Sequence, residues 1–378
     1  MKKIFLIIVV LCLTLCGCKN NTSQQEAPTL PPVTEPTIPV ETPQEIETEP
    51  VVEEIHVQQP MNAIALPIIT EMDETRESSF TYQDIYLFCQ DQEVADRVIL
   101  DFLNRQDTHR NVAYSANQYE ILFSPTRIDG YVLSLFGNSI LHQGGNHPIV
   151  ECQSANYNMF TGEVLTLGSI LKSSDAHIRI IEELQLVAES VADAKQLYPD
   201  YSQVIEDRFN QNPSFDEEWF FSSTGLSFYF EPYEIAPYTA GVITLEIPYN
   251  QLVGLIDDSF FPAEEDLSKG NLNVYMPDDI NLNNYTQIAE IRLGTTTEAI
   301  FLCSEGLLRD VRIEMIDNNS QTSRGTIFAA YTISAGDGII LMYDHTITPL
   351  QLQITYRSAE AEVTQGLYLT ADGSFILS

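Results

Sequence analysis

Phe228-Tyr229-Phe230-Glu231-Pro232-Tyr233-Glu234-Ile235-Ala236-Pro237-Tyr238-Thr239-Ala240-Gly241 reads as a strand that runs into two Pro-Tyr corners. A second strand, Val242 to Ile247, follows at once. Each proline presets φ and so fixes a turn, while Tyr233 and Tyr238 offer a ring for packing and a hydroxyl for hydrogen bonding. Two readings fit the segment. In the preferred one it is a rigid connection in which Tyr233 and Tyr238 support the core. In the other it is an exposed recognition loop in which Glu231 and Glu234 face a cationic partner.

Working outward, Trp219 to Phe221 and Leu226 to Phe230 are short apolar runs of strand type, and Tyr249 to Ile256 reads as a closing helix. Upstream, a helix is expected from Ser174-Asp175 to about Tyr198, with Ile178, Ile181, Leu184, Ala188 and Val191 on its apolar stripe and Pro199 as its stop. Tyr201 to Phe209 continues as a second amphipathic helix. Residues 61–170 predict a strand at Asp84–Cys89 and a helix at Glu93–Leu103 carrying Val94, Val98, Ile99 and Phe102. Strands are expected at Asn117–Ser124, Tyr131–Ile140 and Ile149–Tyr157, with turn-rich connections. The stretch 61–262 is therefore α+β, an antiparallel sheet with packed helices.

Beyond about Asp266 the helical period vanishes. Ile300–Leu302, Val311–Ile316, Ile327–Ile333, Ile339–Tyr343, Leu350–Tyr356 and Gly366–Leu369 are strand-like, separated by turns such as Asp317-Asn318-Asn319 and Ala371-Asp372-Gly373. Seven or eight strands in ~110 residues suggest an all-β sandwich.

The N-terminus has Lys2 and Lys3 before an apolar run, Ile4 to Leu15, which is short of the ~20 residues of a spanning helix. It reads as a signal peptide, residues 1–17, ending in Leu15-Cys16-Gly17-Cys18. Gly17 supplies the small residue that lipoprotein processing needs, so Cys18 is the expected lipid anchor. Two acyl chains there hold a membrane stably, where one gives only marginal binding. Residues 18–60 form the linker: from Lys19 to Pro60 it holds eight Pro, six Thr and eight Glu against one Lys. So little apolar surface cannot offset ordering entropy, and the linker is expected to be disordered and extended. The expected organisation is thus 1–17, 18–60, 61–170, 171–264 and 265–378.

Formal charge is −36 overall, with thirty acids against nine bases in 61–262 and sixteen against six in 263–378. Such a field repels nucleic acid and anionic lipid and draws in cationic proteins. No Lys/Arg cluster offers a nucleic-acid footprint. Acidity of this kind also serves simply to keep a secreted domain soluble.

Catalytic patterns are missing: there is no GxSxG elbow, HExxH helix, Walker A loop or zinc-spaced CxxC pair. His142 and His147 flank a Gly-Gly turn, but no nearby Cys or carboxylate completes a metal set. The acidic turns at Asp278-Asp279, Asp317 and Asp337 do not follow the EF-hand spacing. Asp216-Glu217-Glu218 holds three of fifty-four acids, and adjacency alone says little. Neither a metal nor a cofactor is expected. Beside Cys18, the exported chain keeps Cys89, Cys152 and Cys303; a Cys89–Cys152 bridge and buried free thiols both fit.

The Pro-Tyr segment, with the following Leu245-Glu246-Ile247-Pro248-Tyr249-Asn250-Gln251-Leu252, resembles the extracytoplasmic domain of the RsiV family, anti-sigma factors that sense lysozyme. Ser124-Pro125-Thr126-Arg127-Ile128-Asp129-Gly130, Gly144-Gly145-Asn146-His147-Pro148 and Asn158-Met159-Phe160-Thr161-Gly162-Glu163-Val164-Leu165 are similar to the domain that precedes it there, and that also precedes the catalytic module of PdaC-type peptidoglycan deacetylases. The resemblance covers about residues 62–262. It implies an α+β ectodomain that binds a protein or wall glycan and performs no chemistry. It does not extend to a cytoplasmic sigma-binding region or to a deacetylase module after residue 262, so neither activity is expected.

The sequence thus leads to a non-enzymatic lipoprotein on the outer face of the cytoplasmic membrane, in an envelope of Gram-positive type. Its membrane contact would be the lipid anchor alone, and its expected partner an extracellular protein, such as a basic lysozyme-type enzyme. A wall-glycan adhesin is the alternative, and a peptidoglycan-acting enzyme stands third.

Overall fold

The computed structural model describes residues 62–73, 78–113, 118–211, 218–263, 270–293, 298–343, 350–359, 361–370 and 374–378. The expected signal peptide, Cys18 and the linker lie outside the described residues, as do Asp216, Glu217 and the Ala371–Gly373 turn.

The chain is mostly β. It opens with strands β1 (Ala63–Ala65), β2 (Ile68–Asp73), β3 (Ser78–Gln83) and β4 (Tyr86–Phe88), then helix α1 (Gln92–Ala113). Next come β5 (Gln118–Ile128), β6 (Val132–His142) and β7 (Ile149–Asn158). Strand β5 alternates buried and half-buried positions from Tyr119 onward, the period-2 pattern of a strand with one face in the core. The five strands β2-β3-β5-β6-β7 form one sheet in that order. Its β3–β5 pair is parallel, so the expected all-antiparallel arrangement is corrected there. Helix α1 lays Val98 and Phe102 on this sheet among Tyr119, Phe123 and Tyr157. At the turn after β7, Gly162 has φ 71, and a Cβ there would meet the Val94 carbonyl at 2.9 Å. Only glycine lets the chain pass α1 so closely.

The middle segment holds α2 (Leu167–Ile170), α3 (Ser174–Lys195), α4 (Tyr201–Gln211), β8 (Trp219–Phe221), β9 (Gly225–Phe230), β10 (Ile243–Pro248) and α5 (Tyr249–Leu252). Ser173 caps α3 by accepting the Ala176 N–H. The helix ends at Lys195, where Gln196 turns left-handed at φ 56 and returns its N–H to the Ala192 and Asp193 carbonyls. A C-cap thus stops α3 ahead of Pro199. The buried row is Ala176, Ile180, Leu184 and Ala188. Ile178, expected on that stripe, is 59% exposed, because a step of two residues from Ala176 or from Ile180 leads about 200° round the helix from the buried row. Helices α3 and α4 and the antiparallel sheet β10-β9-β8 share a core with Trp219, Phe228, Ile235 and Ile256. The expected closing helix shrinks to one turn: Val253 leaves helical geometry and Gly254 takes φ 82.

From β11 (Leu272–Tyr275) onward the regular elements among the described residues are strands, apart from two single 3-10 turns: β12 (Thr286–Leu293), β13 (Glu298–Ser304), β14 (Leu308–Ile316), β15 (Ser323–Ile333), β16 (Asp337–Tyr343), β17 (Leu350–Arg357), β18 (Glu362–Leu369) and β19 (Phe375–Leu377). A four-stranded sheet, β11-β13-β16-β12, and a seven-stranded one, β19-β18-β17-β14-β15-β1-β4, bury one apolar cluster containing Leu302, Ile313, Leu341 and Ile354. Within the smaller sheet β12 and β16 run parallel. The larger sheet crosses the expected 264/265 boundary, since β1 pairs with β15 through Ala63–Ala330 and with β4 through Ala63–Phe88. Strands β1 and β4 thus complete the C-terminal layer, while β2 and β3 between them belong to the five-stranded sheet. Among the described residues no helix is long and apolar enough to cross a membrane.

Candidate functional site

The two Pro-Tyr corners lie between β9 and β10, which pair directly from Phe230–Ile243 to Gly225–Pro248. The connection therefore stands out from the end of a closed hairpin. Its inner residues, Ile235 and Ala236, are fully buried, and the Ile235 carbonyl accepts the Tyr198 N–H at 2.8 Å. Two short backbone bonds close the first corner, Glu234 N–H to the Glu231 carbonyl and Tyr233 N–H to the Ala236 carbonyl, both at 3.1 Å.

Both carboxylates of the loop turn inward. Glu231 Oε1 accepts the Cys152 backbone N–H of β7 at 2.9 Å. Glu234 Oε2 accepts the Glu231 N–H at 2.9 Å, and its Oε1 meets Arg208 Nη1 at 2.9 Å. Arg208, from α4, also contacts Glu218 Oε2 at 2.6 Å, donates to the Tyr229 carbonyl at 2.9 Å and lies 4.7 Å above the Phe230 ring. Burial raises the Glu234 pKa above its ordinary value, with Arg208 pulling the other way. The Cys152 thiol is pushed up to about 12, first by burial and then by the charges of Glu231 and Glu234. The two glutamates thus hold the loop to β7 and α4.

The tyrosines are placed differently from each other. Tyr233 is 62% exposed and sits at φ 75, a left-handed conformation that a bulky residue adopts only under strain. Tyr238 is half-buried and donates through its hydroxyl to the Pro148 carbonyl at 3.2 Å. Their ring centroids are 5.4 Å apart, and the His147 ring lies 4.7 Å from that of Tyr238, tilted by 36°. The result is a row of three rings, Tyr233-Tyr238-His147, with exposed ends. It can present flat π surfaces flanked by hydroxyl and imidazole groups to a partner. His147 was singled out in the sequence as half of a histidine pair; Arg208 and Cys152 carried no local sign of their role.

Elsewhere, the acidic turns at Asp317 and Asp337 have structural duties. Asp317 accepts the N–H groups of Asn319 and Ser320 at 2.9 and 2.8 Å, and Asp337 accepts that of Ser334 at 2.8 Å. Among the described residues no group of three His, Cys, Asp or Glu side chains could hold a metal ion. Cys89, Cys152 and Cys303 are free thiols.

Residues 170–250 match the model of a protein family of unknown function, DUF3298. That span holds α3, α4, the three-stranded sheet and the Pro-Tyr loop. The chain is also similar to a solved DUF3298 family protein from Pseudomonas aeruginosa PAO1. The two are 16% identical with a TM-score of 0.38, over 53% of this chain and 97% of that one. A member from Bacteroides fragilis is 15% identical with a TM-score of 0.36, over 52% and 94%. No curated protein matches the chain.

Proposed function

We propose that this chain is a lipid-anchored, extracytoplasmic binding protein with an RsiV-like ectodomain, and that the Tyr233-Tyr238-His147 row is its contact surface for a basic extracellular protein of lysozyme type. The observation that carries this reading is Tyr233 itself. It is an exposed aromatic residue in left-handed backbone geometry, on a loop whose Glu231, Glu234 and Tyr238 side chains are bonded internally. Strain maintained at a solvent-facing ring fits recognition better than support of the core. The acidic balance of 61–262, thirty acids to nine bases, suits a cationic partner. Because Glu231 and Glu234 are engaged internally, that attraction comes from the wider field and not from these two groups. The domain preceding the loop supplies the His147 end of the row, which supports a PdaC-like N-terminal part acting together with it.

The test is capture of lysozyme by the full chain across a salt series, beside Tyr233→Ala. Binding that falls steeply with salt, and is lost in Tyr233→Ala at unchanged melting temperature, is the expected result. Equal capture by the variant removes the loop from the reading. Retention on purified cell wall at high salt, without lysozyme binding, replaces the reading with a wall-glycan adhesin.

A further inference from the structure

Strand β14 carries Arg309-Asp310-Val311-Arg312. Against β17, Arg309 pairs with Arg357 and Arg312 with Thr355, so three steps along β14 match two along β17. The extra residue is a bulge, and Asp310 within it has φ 48. Side chains alternate along a strand, so Arg309 and Arg312 would ordinarily point to opposite faces. The bulge restores them to one face, shared with Arg357.

Two arginines therefore occupy directly opposed positions across one ladder, a like-charge pairing that costs stability in a sheet. Asp310 answers Arg357 in a close ion pair, and Arg309 lies 4.7 Å over the Tyr331 ring. From the other side, the end of β5 brings Arg127, paired with Asp129 at 2.6 Å. Arg312 Nη2 reaches across to the Thr126 carbonyl at 3.4 Å. Between β5 and this face lies a cavity of about 370 Å³ lined by Arg127, Asp129, Arg309, Asp310, Arg312 and Arg357. Cations there outnumber carboxylates four to two, in a chain with eighteen basic residues to fifty-four acidic ones. Three of the six bases after residue 262 converge on this one place.

We infer that the cavity binds a small organic or inorganic anion through paired oxygens, a carboxylate or a phosphate. Guanidinium forks match such oxygen pairs in plane and spacing, and a bound anion relieves the Arg309–Arg357 opposition. The volume is of the size of small-molecule sites, roughly 300–1,000 Å³. Burial also lowers the Arg309 pKa, so its charge gains from a counter-ion. This inference is independent of the Pro-Tyr loop.

The experiment is titration calorimetry of the full chain with inorganic phosphate and, separately, with succinate, at an ionic strength held constant with chloride. Saturable binding of one of the two identifies which oxygen chemistry the site takes. Arg312→Gln, at a half-buried position, should weaken it about tenfold or more, and Arg309→Gln further. Tyr233→Ala should leave it unchanged. Saturable binding of neither anion overturns the inference. So does equal affinity in Arg312→Gln, which would mean an adventitious ion only; that variant decides the matter if Arg309→Gln does not fold.

Discussion

Arg208 Nη1 lies 2.9 Å from Glu234 Oε1, and through this pair α4 holds the Pro-Tyr loop in place. The same guanidinium binds Glu218 and covers Phe230. Removing it strips two half-buried carboxylates of their cation and bares an aromatic face. Arg208→Ala should cost about 1–3 kcal/mol in denaturant unfolding. Adding Glu234→Gln to Arg208→Ala should cost less than the sum of the single changes, because the pair is shared. Strict additivity in that cycle would deny the coupling.

Glu234 also sets a pH dependence. Burial is the largest influence on it and raises its pKa above 4.5, so the folded state favours the neutral acid. That contribution is full below 4.5 and fades as the pH rises through the raised value. The wild type should therefore lose stability relative to Glu234→Gln over that interval. Urea melts of both proteins at stepped pH check the sign, and a relative gain for the wild type would mean that Arg208 outweighs burial.

Cys152 should be chemically silent in the folded protein. With its thiol at about 12, the thiolate fraction at pH 8 is about one in ten thousand. Native alkylation followed by mass spectrometry should label half-buried Cys89 first, and Cys152 only on unfolding. Early labelling of Cys152 would mean that the Glu231 contact to its backbone opens readily.

The regular elements were legible where pattern and burial coincide. Strands β5, β6 and β7, the apolar row of α1 and the hairpin around the Pro-Tyr loop all follow from period and turn chemistry. What escaped depends on distant partners. Ala63–Ala65 is too short to announce a strand, and it becomes one because β15, more than two hundred and fifty residues later, offers an edge. Ile178 falls off the buried face of α3 because that face follows the row Ala176, Ile180, Leu184 and Ala188, four residues apart. The candidate contact surface was half legible. Tyr233 and Tyr238 stood out, but their unequal exposure arises from a left-handed turn at a tyrosine, which no propensity predicts. Arg309, Arg312 and Arg357 look unrelated in sequence, because a bulge leaves no local sign of the face it reassigns.

The anchor is tested apart from the fold. Cys18→Ala should shift the protein from the membrane fraction to the medium, or leave an uncleaved precursor, with loss of lipid label. Unchanged fractionation and labelling would remove the lipoprotein reading while leaving the folded part as described.

Asp129 should be among the most sensitive positions in the chain. Its carboxylate meets Arg127 Nε at 2.6 Å and accepts the N–H groups of Tyr131 and Val132 at 2.7 and 2.8 Å, almost wholly out of solvent. Arg127 in turn donates to the Tyr249 hydroxyl at 2.7 Å and the Phe260 carbonyl at 2.5 Å, so one ion pair ties β5 to the segment after β10. Asp129→Ala leaves a buried guanidinium without its counter-charge and should cost about 3–5 kcal/mol. Asp129→Asn keeps an oxygen for the two N–H groups and should cost less. Replacing both Arg127 and Asp129 by leucine should cost less than Asp129→Ala alone, since no charge is then stranded. Denaturant unfolding orders the three variants, and hydrogen exchange should show residues 249–260 loosening first in Asp129→Ala. A loss below about 1 kcal/mol in that variant would mean that water already reaches the pair, against its burial here.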